Sequence, residues 1–177
     1  MPISHAVRLT LVLGGARSGK SRHAEALITA EPAPWLYIAT AEARDEEMRM
    51  RIAEHRERRG VGWETVEAPF ELAEAVERAD GGAHGAVLID CLTLWLTNIM
   101  LAERDIAAEK AKLLQALAQA AVPVVAVSNE VGLGIVPDNA LARRFRDEQG
   151  RLNAEIAALA SRVVLMAAGL PLMLKGG

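Results

Sequence analysis

Residues 8–28 read RLTLVLGGARSGKSRHAEALI, and the pattern changes twice within them. Leu9 to Leu13 is a short apolar run of the kind that makes a buried strand, Gly14-Gly15 breaks it, and an Ala-rich stretch with helical periodicity follows. The order is strand, loop, helix. Across the junction Gly14, Gly15, Ala16, Arg17, Ser18, Gly19, Lys20 and Ser21 spell GGARSGKS, which fits G-x-x-x-x-G-K-[ST] in the context that pattern requires. The glycines let backbone N–H groups turn inward around phosphate oxygens, and the helix N-terminus adds its positive end. Lys20 then reaches the β and γ phosphates, while the Ser21 hydroxyl is placed to coordinate Mg²⁺. A glycine-rich turn that binds nothing would need neither Lys20 nor Ser21, so a bound nucleoside triphosphate is expected.

Working outward, WLYIAT at 35–40 is a second apolar run, followed by a charged helix over about 42–59. WETVEAP at 63–69 reads as a short strand closed by Pro69, Glu71 to Arg78 as a helix, and GAVLID at 85–90 as a third short buried strand. Helical patterns cover 92–120, VPVVAVSN at 122–129 is another parallel-type strand, and a long helix runs from about Ala140 to Ala160. RVVLMAAG at 162–169 and PLMLK at 171–175 predict a further strand and an edge strand. Continuous apolar strands alternating with helices imply an α/β fold, a mostly parallel sheet flanked by helices. No repeat, low-complexity tract or linker interrupts the chain, so residues 1–177 are expected to form one nucleotide-binding domain.

Composition narrows the functions. The chain has 177 residues, 51% hydrophobic and 24% charged, with aromatics at only 3%, so Ala, Leu and Val must supply the core of a soluble globular protein. A net charge of −3 argues against a nucleic-acid footprint over the whole molecule. The single Cys91 excludes an internal disulfide and a thiolate zinc site, which fits a reducing compartment. MPISHAVRL has no signal-peptide pattern, and the stretch Val163 to Leu174 falls short of the ~20 residues of a spanning helix. A cytoplasmic protein without membrane insertion is expected.

Two further positions carry chemistry. Asp90 ends the run AVLID, where a carboxylate at the carboxyl edge of a parallel sheet can hold Mg²⁺ through its waters, or can cap the helix that begins near Leu92. The two roles are compatible. On a helix over 42–59, Met48, Ile52, His55 and Arg59 share one stripe, and Arg51, Arg56 and Arg58 surround the histidine. A cationic neighbourhood favours neutral imidazole, the nucleophilic form. Spacing leaves both readings of His55 open, a core histidine or a nucleophile, and Glu47, Glu54 and Glu57 can pair with the arginines of a solvated face.

Together GGARSGKSRHAE, YIATAEARDEEMRMRIAEHRERRGVGWETVEAP, LIDCLTLWLTN and VSNEVGLGIVPDNALARRFRDEQGRLN make the chain resemble, over essentially its whole length, the bifunctional adenosylcobinamide kinase / adenosylcobinamide-phosphate guanylyltransferases of cobalamin biosynthesis. The phosphate loop is common to many NTPases; the His-containing basic segment with the NEVGLGIVP block is specific. The resemblance implies a RecA-like P-loop domain assembled as a homotrimer. It also implies phosphorylation of adenosylcobinamide by ATP or GTP, then transfer of GMP from GTP to adenosylcobinamide phosphate with release of pyrophosphate. It places the guanylylated histidine on His55 and further nucleotide contacts on Ile38, Ala39, Thr40, Arg56, Glu57, Arg58, Arg59, Glu67 and Asp90. Without it, a plain P-loop kinase for a small alcohol or a nucleotide-sensing module would account for the same loop.

Weaker candidates remain. Glu130 stands at a sheet edge where α/β proteins bind ligands, or caps its glycine-rich loop; His23 reads as a packing or surface residue. Arg143, Arg144, Arg146 and Arg151 read as a solvated helix face that could also meet an anion or a neighbouring subunit. Trp35, Trp63 and Trp95 read as core or subunit-contact residues.

Overall fold

The computed structural model describes residues 7–42, 50, 60–79 and 82–176. Its elements are β1 (Leu9–Gly14), α1 (Lys20–Thr29), β2 (Trp35–Ala39), β3 (Trp63–Glu67), α2 (Leu72–Ala79), β4 (Ala86–Asp90), α3 (Leu92–Leu101), α4 (Ile106–Gln119), β5 (Val124–Asn129), α5 (Ala140–Leu159), β6 (Arg162–Ala167) and β7 (Leu170–Lys175). The expected helix over 42–59 lies outside the described residues apart from positions 42 and 50.

Seven strands form one sheet in the order β3-β2-β4-β5-β1-β6-β7. The first six run parallel, and β7 turns back antiparallel on β6. The turn Ala168-Gly169 has positive φ at both residues, the geometry a two-residue hairpin needs to match strand twist. The sheet is therefore α/β and mostly parallel, with helices on its faces.

Each central strand feeds both faces because its side chains alternate. On one face Leu11, Ile38, Val87, Ile89 and Ala126 pack with Leu72, Val76, Leu96, Leu113 and Ile156 of α2, α3, α4 and α5. On the other Val12, Leu88, Val125 and Val127 meet Ala24 and Ile28 of α1. Fully burying one such Leu or Ile stabilises by about 1.5–3 kcal/mol. Apolar residues on both sides of β1, β4 and β5 are why these strands read as nearly continuous hydrophobic runs.

The helical patterns of 92–120 separate into α3 and α4. Glu103 adopts a left-handed φ of 53°, and Asp105 restarts the helix by accepting from the Ala108 N–H at 3.1 Å. Trp95 is a core residue whose indole donates to the Phe70 carbonyl at 3.0 Å. Trp35 and Trp63, register partners on β2 and β3, are half-buried with ring centroids 5.4 Å apart. Among the described residues no helix is long and apolar enough to cross a membrane.

Candidate active site

The parallel strands all end on one edge, and several of the residues singled out from sequence lie along it, whereas His55, Arg56, Glu57, Arg58 and Arg59 are outside the described residues. Gly14 closes β1, Ala39 closes β2, Glu67 closes β3, Asp90 closes β4 and Asn129 closes β5. In such sheets the crevice outside the carboxyl ends is where ligands bind.

The loop Gly14–Ser21 joins β1 to α1. Gly14 cannot carry a side chain: a Cβ there would lie 2.6 Å from both the Met166 carbonyl oxygen and Ser18 Oγ. Gly19, at φ 93°, occupies the left-handed conformation that starts α1. The loop is pinned from outside, since the Glu130 N–H donates to the Gly14 carbonyl at 3.1 Å and the Gly169 N–H to the Ser18 carbonyl at 3.2 Å. The β6–β7 turn thus forms one of its walls.

Three observations fit this loop to phosphate. No side chain caps α1, and its first turn holds no acidic residue, so the amides there are not satisfied by a competing carboxylate. Ser18 Oγ is buried without a hydrogen-bond partner. Lys20 is buried, and its ammonium donates to the Gly15 carbonyl at 2.6 Å. Burial pushes the Lys20 pKa below its ordinary value, with Cys91 and Asp90 pulling the other way, so Lys20 and Asp90 lie within electrostatic reach of each other.

Asp90 is not the helix cap. Cys91 takes the N-cap position of α3 without a side-chain bond, and Asp90 remains on the strand end. Thr40 secures this junction: its hydroxyl donates to the Cys91 carbonyl at 2.7 Å and accepts from the Cys91 N–H at 2.8 Å, and its own N–H donates to the Asp90 carbonyl at 3.3 Å. Asn98 holds Thr40 in turn, donating to its carbonyl at 2.8 Å and to that of Pro69 at 3.0 Å. Thr40 is therefore a structural clasp of the Asp90 strand end.

The remaining candidates separate. Ser21 is half-buried on the first turn of α1. The Ile38 side chain is fully buried in the core on the face away from α1, which leaves only its backbone near the edge. Glu67 ends the outermost strand, four strand spacings or roughly 19 Å from β1. His55, Arg56, Glu57, Arg58 and Arg59 lie outside the described residues. Glu130 caps its own loop, accepting from the Gly132 N–H at 2.7 Å. Arg143 donates to the carbonyls of Pro137 and Asp138, Arg146 pairs with Asp147 and Arg151 with Glu148, so these three arginines serve α5 and the loop before it.

Sequence reading missed the buried polar network behind β5. Gln149 donates to Ser128 Oγ and Asn153 Oδ1, each at 2.9 Å, Ser128 donates to Asn153 Oδ1 at 2.6 Å, and Asn153 donates to the Asn129 carbonyl at 3.1 Å. The signal was present as polar residues at the end of an apolar strand and on the inner stripe of a helix.

These features define a parallel-sheet α/β protein with a phosphate-loop sequence, a buried lysine and a facing carboxylate at its carboxyl edge. Comparison with known proteins makes the assignment specific. The chain belongs to the cobinamide kinase / cobinamide phosphate guanyltransferase family, whose family model matches residues 10–174. It is 49% identical over 168 residues to a bifunctional adenosylcobalamin biosynthesis protein, CobP, of Pseudomonas aeruginosa, covering 94% of this chain and 96% of that one. It is 42% identical over 182 residues to the bifunctional adenosylcobalamin biosynthesis protein CobU of Escherichia coli, covering 94% and 99% respectively.

Proposed function

We propose that this chain is a bifunctional enzyme of cobalamin biosynthesis. It phosphorylates adenosylcobinamide with ATP or GTP and then transfers GMP from GTP to adenosylcobinamide phosphate, releasing pyrophosphate. The observation that carries this reading is the family match over nearly the whole chain, joined to the convergence of Lys20 and Asp90 at one strand edge.

In this reading the fold is a RecA-like P-loop domain spanning residues 1–177. Gly14–Ser21 wraps the nucleotide phosphates, and Lys20 exchanges its bond to the Gly15 carbonyl for one to β- and γ-phosphate oxygens. Mg²⁺, when bound, neutralises phosphate charge, with Ser21 and, through water, Asp90 as the side chains that would hold it. Ala39, Thr40 and the backbone of Ile38 border the same edge. His55 takes up GMP as a phosphoramidate, and Arg56, Arg58 and Arg59 offset the phosphate charge during that exchange. Glu57 and Glu67 complete the nucleotide contacts.

A homotrimer is part of the reading. Its physical support is β7, whose Leu170, Leu172, Met173 and Leu174 are all exposed on an edge strand that soluble proteins seldom leave bare.

The test is incubation with GTP labelled at the α-phosphate, with and without cobinamide phosphate. Covalent label that is discharged onto cobinamide phosphate is the expected result. Absence of both label and nucleotidyl transfer, with cobinamide still phosphorylated, would reduce the protein to a kinase.

A further inference from the structure

Asn129 closes β5, and the function just described gives it no task. Its backbone is fixed on both sides: the N–H donates to Thr93 Oγ1 of α3 at 2.8 Å, and the carbonyl accepts from Asn153 Nδ2 of α5 at 3.1 Å. Its carboxamide makes no hydrogen bond within the described protein and is only half-buried. A rigid backbone therefore presents an uncommitted polar side chain.

Strand alternation and register say where it stands. Val125 and Val127 face α1, so Asn129 lies on the same face; Leu88 and Val12 place Asp90 and Gly14 there by the same parity. Asn129 pairs with Gly14, and Asp90 pairs with Val127. Because β5 lies between β4 and β1, Asn129 stands between the Asp90 strand and the phosphate loop, two residues or roughly 6.8 Å further out than the level of Asp90. In the nucleotide-loop reading, that is the side toward which the phosphate chain would extend. A carboxamide suits this place, because its N–H groups can donate to an anionic oxygen where a carboxylate would repel it.

We propose that the Asn129 carboxamide touches the γ-phosphoryl group of the nucleotide and donates to a non-bridging oxygen during transfer. The proposal rests on the reading of Gly14–Ser21 as the nucleotide loop. In the transfer, the bond from the acceptor alcohol oxygen to phosphorus forms and the bond from phosphorus to the β–γ bridging oxygen breaks. The nucleoside diphosphate leaves with the electron pair, the alcohol proton is released to solvent, and Asn129 keeps both its amide protons. A contact made only to the γ group distinguishes triphosphate from diphosphate and acts most strongly as charge redistributes in the transition state.

The experiment compares the wild-type chain with Asn129→Ala, Asn129→Asp and Lys20→Ala, measuring cobinamide phosphorylation, binding of a non-hydrolysable ATP analogue, binding of ADP, and thermal unfolding. Asn129→Ala should lower kinase kcat by about ten- to a hundredfold while ADP affinity stays within about twofold, and Asn129→Asp should be worse by repulsion. Thermal unfolding of the Ala variant should match wild type, because both anchors of Asn129 are backbone bonds. Kinase kcat within about twofold of wild type in the Ala variant, or an equal loss of ADP and ATP-analogue affinity, would overturn the proposal. Lys20→Ala separates the two failures. If it is inactive while Asn129→Ala is normal, only the role of Asn129 falls; if Lys20→Ala is also fully active, the nucleotide-loop reading falls with it.

Discussion

Lys20 and Gly15 are joined across the Gly14–Ser21 loop, ammonium to carbonyl, at 2.6 Å. The lysine thus sits where phosphate oxygens are expected, held by an oxygen of the same loop. Replacing Lys20 with Ala removes the charge offered to the β and γ phosphates and should lower kinase turnover by about a hundredfold or more, with the fold retained. Cobinamide phosphorylation at saturating nucleotide, with a circular dichroism melt, checks this. Near-normal turnover in a folded variant would count against the loop as a catalytic element.

The same lysine gives a pH dependence. Its pKa is lowered from 10.5 chiefly by burial, so the free folded protein sheds this proton at a lower pH than the unfolded chain does. Bound triphosphate favours the charged form. Nucleotide affinity should therefore decline as pH rises through the depressed pKa of free Lys20, below 10.5. Stability of the free protein has the opposite slope there, rising with pH, since the unfolded state holds more protons. Titration calorimetry between about pH 7 and pH 10 should show the decline in wild type and a flatter profile in Lys20→Ala.

Asp90→Asn should weaken the Mg²⁺ dependence of turnover more than it weakens the fold. The carboxylate stays on the strand end while Cys91 takes the cap position, so its removal costs α3 no side-chain cap. A Mg²⁺ titration of kinase activity should shift to higher metal concentration by about tenfold or more. An unchanged titration curve would leave Asp90 without a metal role.

The carboxyl-edge site was legible in part because glycine, lysine and aspartate have few reasons to fall where they do in this chain. The strands were legible for a different reason: with both faces of β1, β4 and β5 buried, they are apolar along most of their length, with polar residues only at Thr10 and at the carboxyl ends, Asp90, Ser128 and Asn129. Three things were not legible. The break between α3 and α4 depends on one left-handed residue, Glu103, in a pattern otherwise continuous over 92–120. The strand order, which puts β5 and Asn129 between β4 and β1, is a property of tertiary packing that no local pattern encodes. The clasp of Thr40 on Cys91 joins residues 51 positions apart, and the sequence marks Thr40 only as the polar end of an apolar run.

That clasp predicts a stability effect. Thr40→Val is nearly isosteric, yet it removes a donor from the Cys91 carbonyl and an acceptor from the Cys91 N–H, both buried. A loss of about 1–3 kcal/mol in unfolding free energy is expected, with Thr40→Ser retaining most of the wild-type value. Urea denaturation of the three proteins measures it, and equal stability of the Val and Ser variants would show that the hydroxyl is dispensable.

We propose that the second activity turns on His55. Its imidazole should attack the α-phosphorus of GTP, forming a nitrogen–phosphorus bond as the bond to the bridging oxygen breaks and pyrophosphate leaves. Adenosylcobinamide phosphate then takes the GMP through its own phosphate oxygen. The motivation is the sequence position, a histidine set among Arg51, Arg56, Arg58 and Arg59 within the stretch that the family model matches. A phosphoramidate is acid-labile and comparatively stable in alkali, so the label should vanish in mild acid and persist in base, unlike a carboxyl-linked adduct. His55→Asn should abolish labelling and guanylyl transfer while leaving part of the cobinamide phosphorylation, because Lys20, Asp90 and the loop remain. Mass spectrometry of wild type and variant after GTP treatment reads both outcomes. Full covalent labelling of the Asn variant would exclude His55 as the nucleophile and turn attention to His23, half-buried on α1 beside the loop.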